Sequence, residues 1–527
     1  MAATACSQAR RYPHRGSGSG RSRSALWFLS LSATLPALLA GPSWAAKWDI
    51  VPTLFVEETY TDNVGLAPSG LKRSDWVTEV TPGVSVSATG ARLRFNATYA
   101  AQGLYRAREE SRELNHQLNA SGNAELVRQL LFLDTRAAVA QQNISLLGPQ
   151  AVSNVNTTGN RTTVRTFLVS PYLRHDFGPV AQGEARLTYS TVNTDATTSL
   201  SNSQANRIDM RLASGPAYKL TTWNLAYSRD HIDSTGPQDT TTEKITAGAR
   251  RLITPTVGLL ANVGYENNDF LTVGPAPKGV SWSAGLEWTP TPRTHLAATT
   301  GRRFFGATRS LDFSHRTRLT VWSVNYSEDI TTTRSQLLVP VTVDTAGFLD
   351  TLFLSGIPDP AARQRAVQAF IAQTGLPPSL IVPLDFFTSQ NFLVKRWAGS
   401  VGIQGVRNTV LANVFTETRV SEATGLALAG AGDFASSANV KQTGASLLWN
   451  WRFAARAASN LSVGYTRNEF PGIGREDNLK FIRLSLTRQF QPRLSGSLNY
   501  RRLQNDSDQS GAGHTENAVS AALNMSF

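Results

Sequence analysis

One cysteine occurs in the 527 residues, Cys6, and it lies in the N-terminal leader. With no thiol in the rest of the chain, disulfides cannot staple it, so backbone pairing and packing must hold it together. Long hydrophobic runs are missing too. After residue 45 no stretch of about eighteen apolar residues appears, which excludes ordinary transmembrane helices. Catalytic signatures are scarce. There is no GxSxG, hence no nucleophile elbow, and GPAPKG (274–279) lacks the order and the Ser/Thr of a phosphate loop. His116, His175, His231, His295, His315 and His514 show no metal-ligand spacing. The expectation is a non-enzyme with no metal and no cofactor.

What is present begins with a leader free of acids. Arg10, Arg11, Arg15, Arg21 and Arg23 precede the apolar run ALWFLSLSATLPALLA. Ser43 and Ala45 then supply the small residues that signal peptidase accepts at the third and first positions before a cut. Residues 1–45 read as a secretory signal, leaving 46–527 as the mature chain; the short run and Pro36 fit a membrane anchor less well. Loss of those five arginines lowers the formal charge from +13 to +8. Secretion makes nucleic acid a poor explanation of the basic balance.

Hydrophobic content is only 41%, yet apolar residues alternate with polar ones almost continuously. In RLRFNATYAAQGLY (92–105), Leu93, Phe95, Ala97, Tyr99 and Ala101 share one face and Arg94, Asn96, Thr98 and Gln102 the other. SWSAGLEW (281–288) sets Trp282, Ala284, Leu286 and Trp288 against Ser281, Ser283, Gly285 and Glu287. A period of two marks strands with one apolar and one polar face. Short turns such as ATGA (88–91) and QPR (491–493) alternate with longer polar loops such as 62–74, 145–162 and 468–477. That rhythm predicts an all-β protein, a transmembrane up-and-down antiparallel β-barrel of about 22 strands (20 to 24), with both termini at the short-turn rim. Trp and Tyr near strand ends, among them Trp288, Trp322, Trp451 and Tyr500, suit headgroup girdles. A soluble sandwich would show the same alternation, but shorter strands and no girdle.

Three segments resemble the outer-membrane β-barrel proteins associated with the PEP-CTERM/exosortase system of Gram-negative bacteria: VEETYTDNVGLAP (56–68), SPYLRHDFG (170–178) and, most specifically, GRRFFGATRSLDFSHRTRLTVWSVNYSED (301–329). The resemblance implies an outer-membrane location and a place among exopolysaccharide biosynthesis and export functions. Met525 and Phe527 look like the C-terminal signal read by the barrel-assembly machinery; Ala522 stands where that signal usually has glycine. The implied partners are outer-membrane lipid and lipopolysaccharide, the assembly machinery, a polysaccharide and periplasmic export components.

The largest interruption, about 330–391, contains DPAARQRAVQAFIAQTGLPP. Asp359 as N-cap, Pro360 in the first turn and Gly375 past the end predict a helix, with Val367, Phe370 and Ile371 as its apolar stripe. A wide barrel needs a plug, so this loop is expected either to fold inward as a gate or to cap the outside. The polar register collects Arg92, Arg94, Arg136, Arg174, Arg186, Arg207, Arg211, Arg250, Arg303, Arg452, Arg483 and Arg501. Acids there are fewer: Glu125, Asp134, Glu184, Asp209, Glu266 and Glu287. Arginine–acid pairs bracing the inner wall carry more weight than a specific anion track. His116 and His315 fall in the outward register, where a serine–histidine–acid site is weighed against simple interfacial residues and rated the lesser. The combined expectation is a passive, basic-lined conduit for exopolysaccharide export or surface assembly; the alternatives are a general porin and an adhesive barrel with a blocked lumen.

Overall fold

A strand with one apolar face can satisfy its backbone in hydrocarbon only by pairing on both edges. A computed structural model describes residues 46–195, 202–234, 239–273, 276–338, 386–423 and 430–527, with 349–350, 353–354, 363 and 367. Its strands are β1 (Ala46–Thr61), β2 (Asp75–Gly90), β3 (Leu93–Arg106), β4 (Ser111–Val127), β5 (Leu131–Asn143) and β6 (Arg161–Phe177). Next come β7 (Ala181–Thr194), β8 (Ser203–Ser214), β9 (Thr221–Ser234), β10 (Thr240–Thr254), β11 (Val257–Asp269) and β12 (Lys278–Thr291). They are followed by β13 (Thr294–Arg303), β14 (Gly306–Arg316), β15 (Thr320–Thr331), β16 (Phe392–Gln404) and β17 (Asn408–Ser421). The last are β18 (Asn439–Ala454), β19 (Ala457–Phe470), β20 (Arg475–Gln491), β21 (Leu494–Ser507) and β22 (His514–Ser526).

Each strand is antiparallel to its sequence neighbours, and β1 pairs with β22 from Thr53↔Ser526 to Thr61↔Ala518, closing a 22-stranded barrel. The Phe527 N–H extends that seam, donating to the Pro52 carbonyl at 3.0 Å. No helix among the described residues is long and apolar enough to cross a membrane. The strands do the crossing.

The pairing register settles which face is which. Between β11 and β12, Leu259 faces Leu286, Val263 faces Trp282 and Tyr265 faces Val280, and all six side chains are exposed on the outer wall. Their neighbours Ser281, Ser283, Gly285 and Glu287 point into the barrel. The same rule puts Val519, Leu523 and Met525 outside and Ser520 and Asn524 inside. Trp48, Trp288, Trp322 and Trp451 lie exposed near the short-turn rim, and Tyr60, Trp76 and Trp397 toward the other. A closed barrel with an apolar outer wall between aromatic girdles belongs in a Gram-negative outer membrane. That is where this chain resides.

Ten short turns form the periplasmic rim. Arg92, Arg128, Lys219 and Arg293 sit in four of them, and Arg318, Arg407, Arg456 and Arg493 in four more; none of the ten carries Asp or Glu. Beside several of these turns the ladder slips by a bulge, as at Leu252/Thr254, Trp288/Thr291 and Trp451/Ala454. A bulge adds the local twist a tight connection needs. The turns lie within a few residues of their expected positions. On the other rim the expected loop 468–477 shrinks to a turn at 471–474, because β19 and β20 stay paired as far as Phe470↔Arg475. Two further tight connections, 107–110 and 304–305, complete the alternation.

Glycine is required where β12 and β13 coil. A Cβ on Gly301 would collide with the Trp282 carbonyl oxygen, and one on Gly285 with that of Ala298. Backbone atoms in a closed ladder cannot move aside. Gly301→Val should therefore cost about 1–3 kcal/mol, seen as loss of the compact, heat-modifiable band at lower temperature, whereas Thr300→Val on the exposed outer wall should be near neutral. Equal behaviour of the two variants would contradict this account of the bend.

Candidate functional site

The inner wall is not uniformly polar. Near the extracellular ends of several strands an apolar residue occupies the inward register: Val77, Leu104, Val164, Val192, Leu479 and Leu503. Left facing water these would be costly. Each is covered by a loop that turns into the lumen. Val64 and Val155 pack on Val77 and Leu104; Leu66 and Ala151 pack on Leu479 and Leu503; Phe387 packs on Val164 and Val192. A fourth cluster joins Leu146, Phe386 and Phe434 to Phe392, Val440 and Phe470.

Segment 144–160, joining β5 to β6, is the centre of this inner layer. It is tied from four sides. Asp433, in the 3-10 turn Gly432–Ala435, accepts hydrogen bonds from the Ser145 hydroxyl at 2.5 Å and the Leu146 N–H at 2.7 Å. Glu516, wholly buried, accepts from Asn156 Nδ2 at 2.7 Å, Thr61 Oγ1 at 2.8 Å and Arg501 at 2.8 Å. Arg106 donates to the carbonyls of Val155 at 3.2 Å and Asn154 at 3.1 Å and pairs with Glu113 at 2.8 Å. Arg475 donates to the Leu147 carbonyl at 3.1 Å while paired with Asp477 at 2.8 Å. The loops also bond one another: Phe387 N–H to the Ile144 carbonyl at 2.8 Å, and Thr157 N–H to that of Val64 at 2.9 Å.

The 330–391 insertion enters this layer at both described ends. Helix α1 (Thr333–Leu338) lies inside the barrel, where buried Arg334 donates to the Ser190 hydroxyl at 2.8 Å and to the Ser203 hydroxyl at 3.0 Å, both on inward positions of the wall. Burial pushes its guanidinium pKa down. Thr333 Oγ1 donates to the Phe386 carbonyl at 3.0 Å, closing the neck of the insertion. Val367 is helical and 2% exposed. Asp359, Pro360, Phe370 and Ile371 lie outside the described residues, as do Ser43 and Ala45.

Of the twelve arginines read from the polar register, one is off the wall. Arg92 sits in the turn after β2, because β2 ends at Gly90 and Ala91–Arg92 make the connection. Arg94, Arg136, Arg174, Arg186, Arg207, Arg211, Arg250, Arg303, Arg452, Arg483 and Arg501 all occupy inward strand positions. Many are braces. Arg186 bonds Asp134 at 2.7 Å and Glu184 at 3.2 Å, lies 3.9 Å over the Tyr172 ring, and shares Glu184 with Arg174 at 2.8 Å. Arg207 pairs with Asp209 at 2.8 Å, Arg250 with Glu287, and Arg303 with Glu266 at 2.8 Å and Asp329 at 2.6 Å. Arg452 donates to the Val406 carbonyl at 2.8 Å. Arg94, Arg136 and Arg211 form no ion pair among the described residues and stay exposed to the lumen.

On the outer wall, His116 meets the Tyr99 hydroxyl at 2.8 Å and His315 the Thr294 hydroxyl at 2.9 Å, on β4 and β14 respectively. No cluster of three or more His, Cys, Asp or Glu able to hold a metal occurs among the described residues. Met525 is paired outward between Leu54 and Leu494, and the Phe527 ring is exposed.

No protein-family model matches the chain, and no curated protein is similar to it in sequence. Among solved structures it is similar to the ferric-catecholate import receptor Fiu of E. coli K12 (9% identity, 91% of this chain and 82% of that one, TM-score 0.48). It is also similar to the siderophore receptor PirA of Pseudomonas aeruginosa (10%, 91% and 80%, TM-score 0.44) and to PirA of Acinetobacter baumannii (9%, 90% and 80%, TM-score 0.46). At such identities and scores these matches carry no argument about cargo.

Burial pushes the Asp433 carboxyl above the ordinary carboxylate range, against the two bonds it accepts. A raised folded-state pKa means that its contribution to stability is fullest at acid pH and is lost as pH rises through that raised value. Asp433→Asn, uncharged throughout, should therefore gain stability relative to the native chain between acid and neutral pH, as read by thermal melts; a constant difference would contradict the burial. Asp433→Ala, which leaves the Leu146 N–H unpaired at a cost of about 1–3 kcal/mol, should speed hydrogen exchange over 144–150 while the barrel strands stay protected. Unchanged exchange there would show that Asp433 does not hold the segment.

Proposed function

We propose that the chain is a transport barrel whose passage follows the arginine-bearing inner wall and is closed toward the extracellular side by its own loops. The single observation that supports this most is the inner layer around 144–160. It is fastened to the strands by Arg106, Arg475 and Glu516 and to a neighbouring loop by Asp433, together with apolar contacts, so its release need not open the wall. The 330–391 insertion joins the layer through α1 and Phe386 and serves as its gate.

The cargo that suits the wall is anionic. Arg94, Arg136 and Arg211 form no ion pair among the described residues and line a water-filled lumen with low-dielectric walls, and such a surface raises the local concentration of anions. Exopolysaccharide is the cargo class implied by the resemblance to PEP-CTERM-associated barrels, and an acidic one would meet these side chains as a run of carboxylates that arginine binds bidentately. The resembling segment 56–68 also contains Val64 and Leu66, which enter the lumen. A general porin has less use for such extensive loop packing.

Planar-bilayer recording tests this. The native barrel should pass little current, and removal of 340–385 or the Asp433→Ala change should raise it. The opened channel should prefer anions, and Arg136→Glu with Arg211→Glu should shift its reversal potential toward cations. A large cation-selective current from the native protein, or a double variant with unchanged selectivity, would refute the anion path. Polymer trapped in the periplasm of a strain lacking the protein would support the exopolysaccharide assignment; secretion at the usual level would remove it.

A further inference from the structure

The periplasmic rim has a charge pattern that the lumen does not explain. Eight of its ten turns carry Lys or Arg and none carries an acid. On the outer wall close to that rim the charged side chains are Arg251 and Arg488, again with no carboxylate. A cation facing lipid is costly at the bilayer midplane and far less so near the interface, so these residues belong at headgroup depth. Even there they need a counter-ion, and the protein gives Arg456 and Arg488 none: neither is in an ion pair among the described residues.

Beside them the outer wall is hollowed. A groove of about 880 Å³ runs across β18–β22 to β1. Its sides are Val56, Leu486, Leu498, Leu523, Phe453 and Phe490, and Arg456 and Arg488 stand at its turn-side end. Small residues make the hollow. Along one ladder row the outward positions are Val56, Leu523, Gly496, Arg488 and Ala457. The absence of a side chain at Gly496 lets the Phe490 ring lie across the strand. The one acid on the groove, Glu58, lies one row further from the rim and already accepts a hydrogen bond from Thr78 at 2.7 Å.

We propose that this groove is a binding site for an anionic phospholipid of the periplasm-facing leaflet, and that the basic rim collects such lipids around the barrel. The phosphate sits between Arg456 and Arg488, and an acyl chain lies along the apolar groove toward Val56. The fit is one of sign and of depth. Basic clusters at a membrane surface attract anionic headgroups, and here the apolar surface that would hold the chain begins where the guanidinium groups end. An acidic periplasmic protein could use the rim charge but has no use for an apolar groove in the lipid-facing wall.

Native mass spectrometry of the barrel released from vesicles with equal phosphatidylethanolamine and phosphatidylglycerol tests the site. Phosphatidylglycerol should be retained over phosphatidylethanolamine by about tenfold or more. Arg456→Gln with Arg488→Gln should abolish that preference, Ala521→Trp should lower retention of both lipids by filling the groove, and Arg94→Gln inside the lumen should change neither. Excess glycerol phosphate should fail to displace the lipid, because the chain carries part of the binding. Each variant is checked for the compact, heat-modifiable band. Equal retention of the two lipids, a preference that survives the double change, or displacement by glycerol phosphate would overturn the proposal, the last by assigning the arginines to soluble phosphate esters.

Discussion

The structure depends on one constraint: in hydrocarbon, a backbone amide has no water to bond and must find its partner within the protein. An open 22-stranded sheet would leave the free edges of β1 and β22 without partners, and in lipid each unpaired group costs several kcal/mol. The β1–β22 ladder removes both edges at once. With closure, inside and outside become distinct, and a two-residue period acquires two meanings. Residues such as Trp282 and Leu286 meet lipid, and Ser283 and Glu287 meet the lumen.

Closure at this width creates a second problem, a lumen too broad to be filled by wall side chains alone. The chain meets it with loops. Where Leu104, Val192 or Leu503 breaks the polar register, a loop residue covers it, and buried polar groups such as Glu516 and Asp433 fix the loop ends. Between these fastenings and the periplasmic rim the wall is braced by cross-strand pairs such as Arg186 with Asp134. The wall closes through its own backbone ladder, and the loops are held to it by hydrogen bonds, ion pairs and apolar clusters.

The barrel was readable from sequence because its signal repeats. A two-residue period sustained over most of 46–527, with short and long connections in turn, leaves few other folds, and one misjudged boundary shifts a turn without altering the count. The loop layer was much less readable. Segment 144–160 is a polar loop by composition, and its role rests on partners hundreds of residues away, such as Asp433 and Glu516. The local clue was Leu104 in the polar register of 92–105, an apolar residue with no apolar neighbour to explain it. The pairs formed by Arg186 and Arg303 reach across strands, so they follow from register and not from spacing. Arg92 was misplaced for a simpler reason: β3 begins at Leu93, one residue after the expected start at 92, so the first side chain of the expected strand moves from the wall to the rim.

The most direct test is an accessibility scan along β12. Residues 46–527 contain no cysteine, so with Cys6 replaced by serine single cysteines can be placed at each position from 280 to 288 and spin-labelled in proteoliposomes. Collisions with oxygen, which concentrates in lipid, should peak at 280, 282, 284, 286 and 288, and collisions with a water-soluble nickel complex at the positions between. Uniform access to the soluble reagent, or a period other than two, would contradict the closed, lipid-embedded barrel.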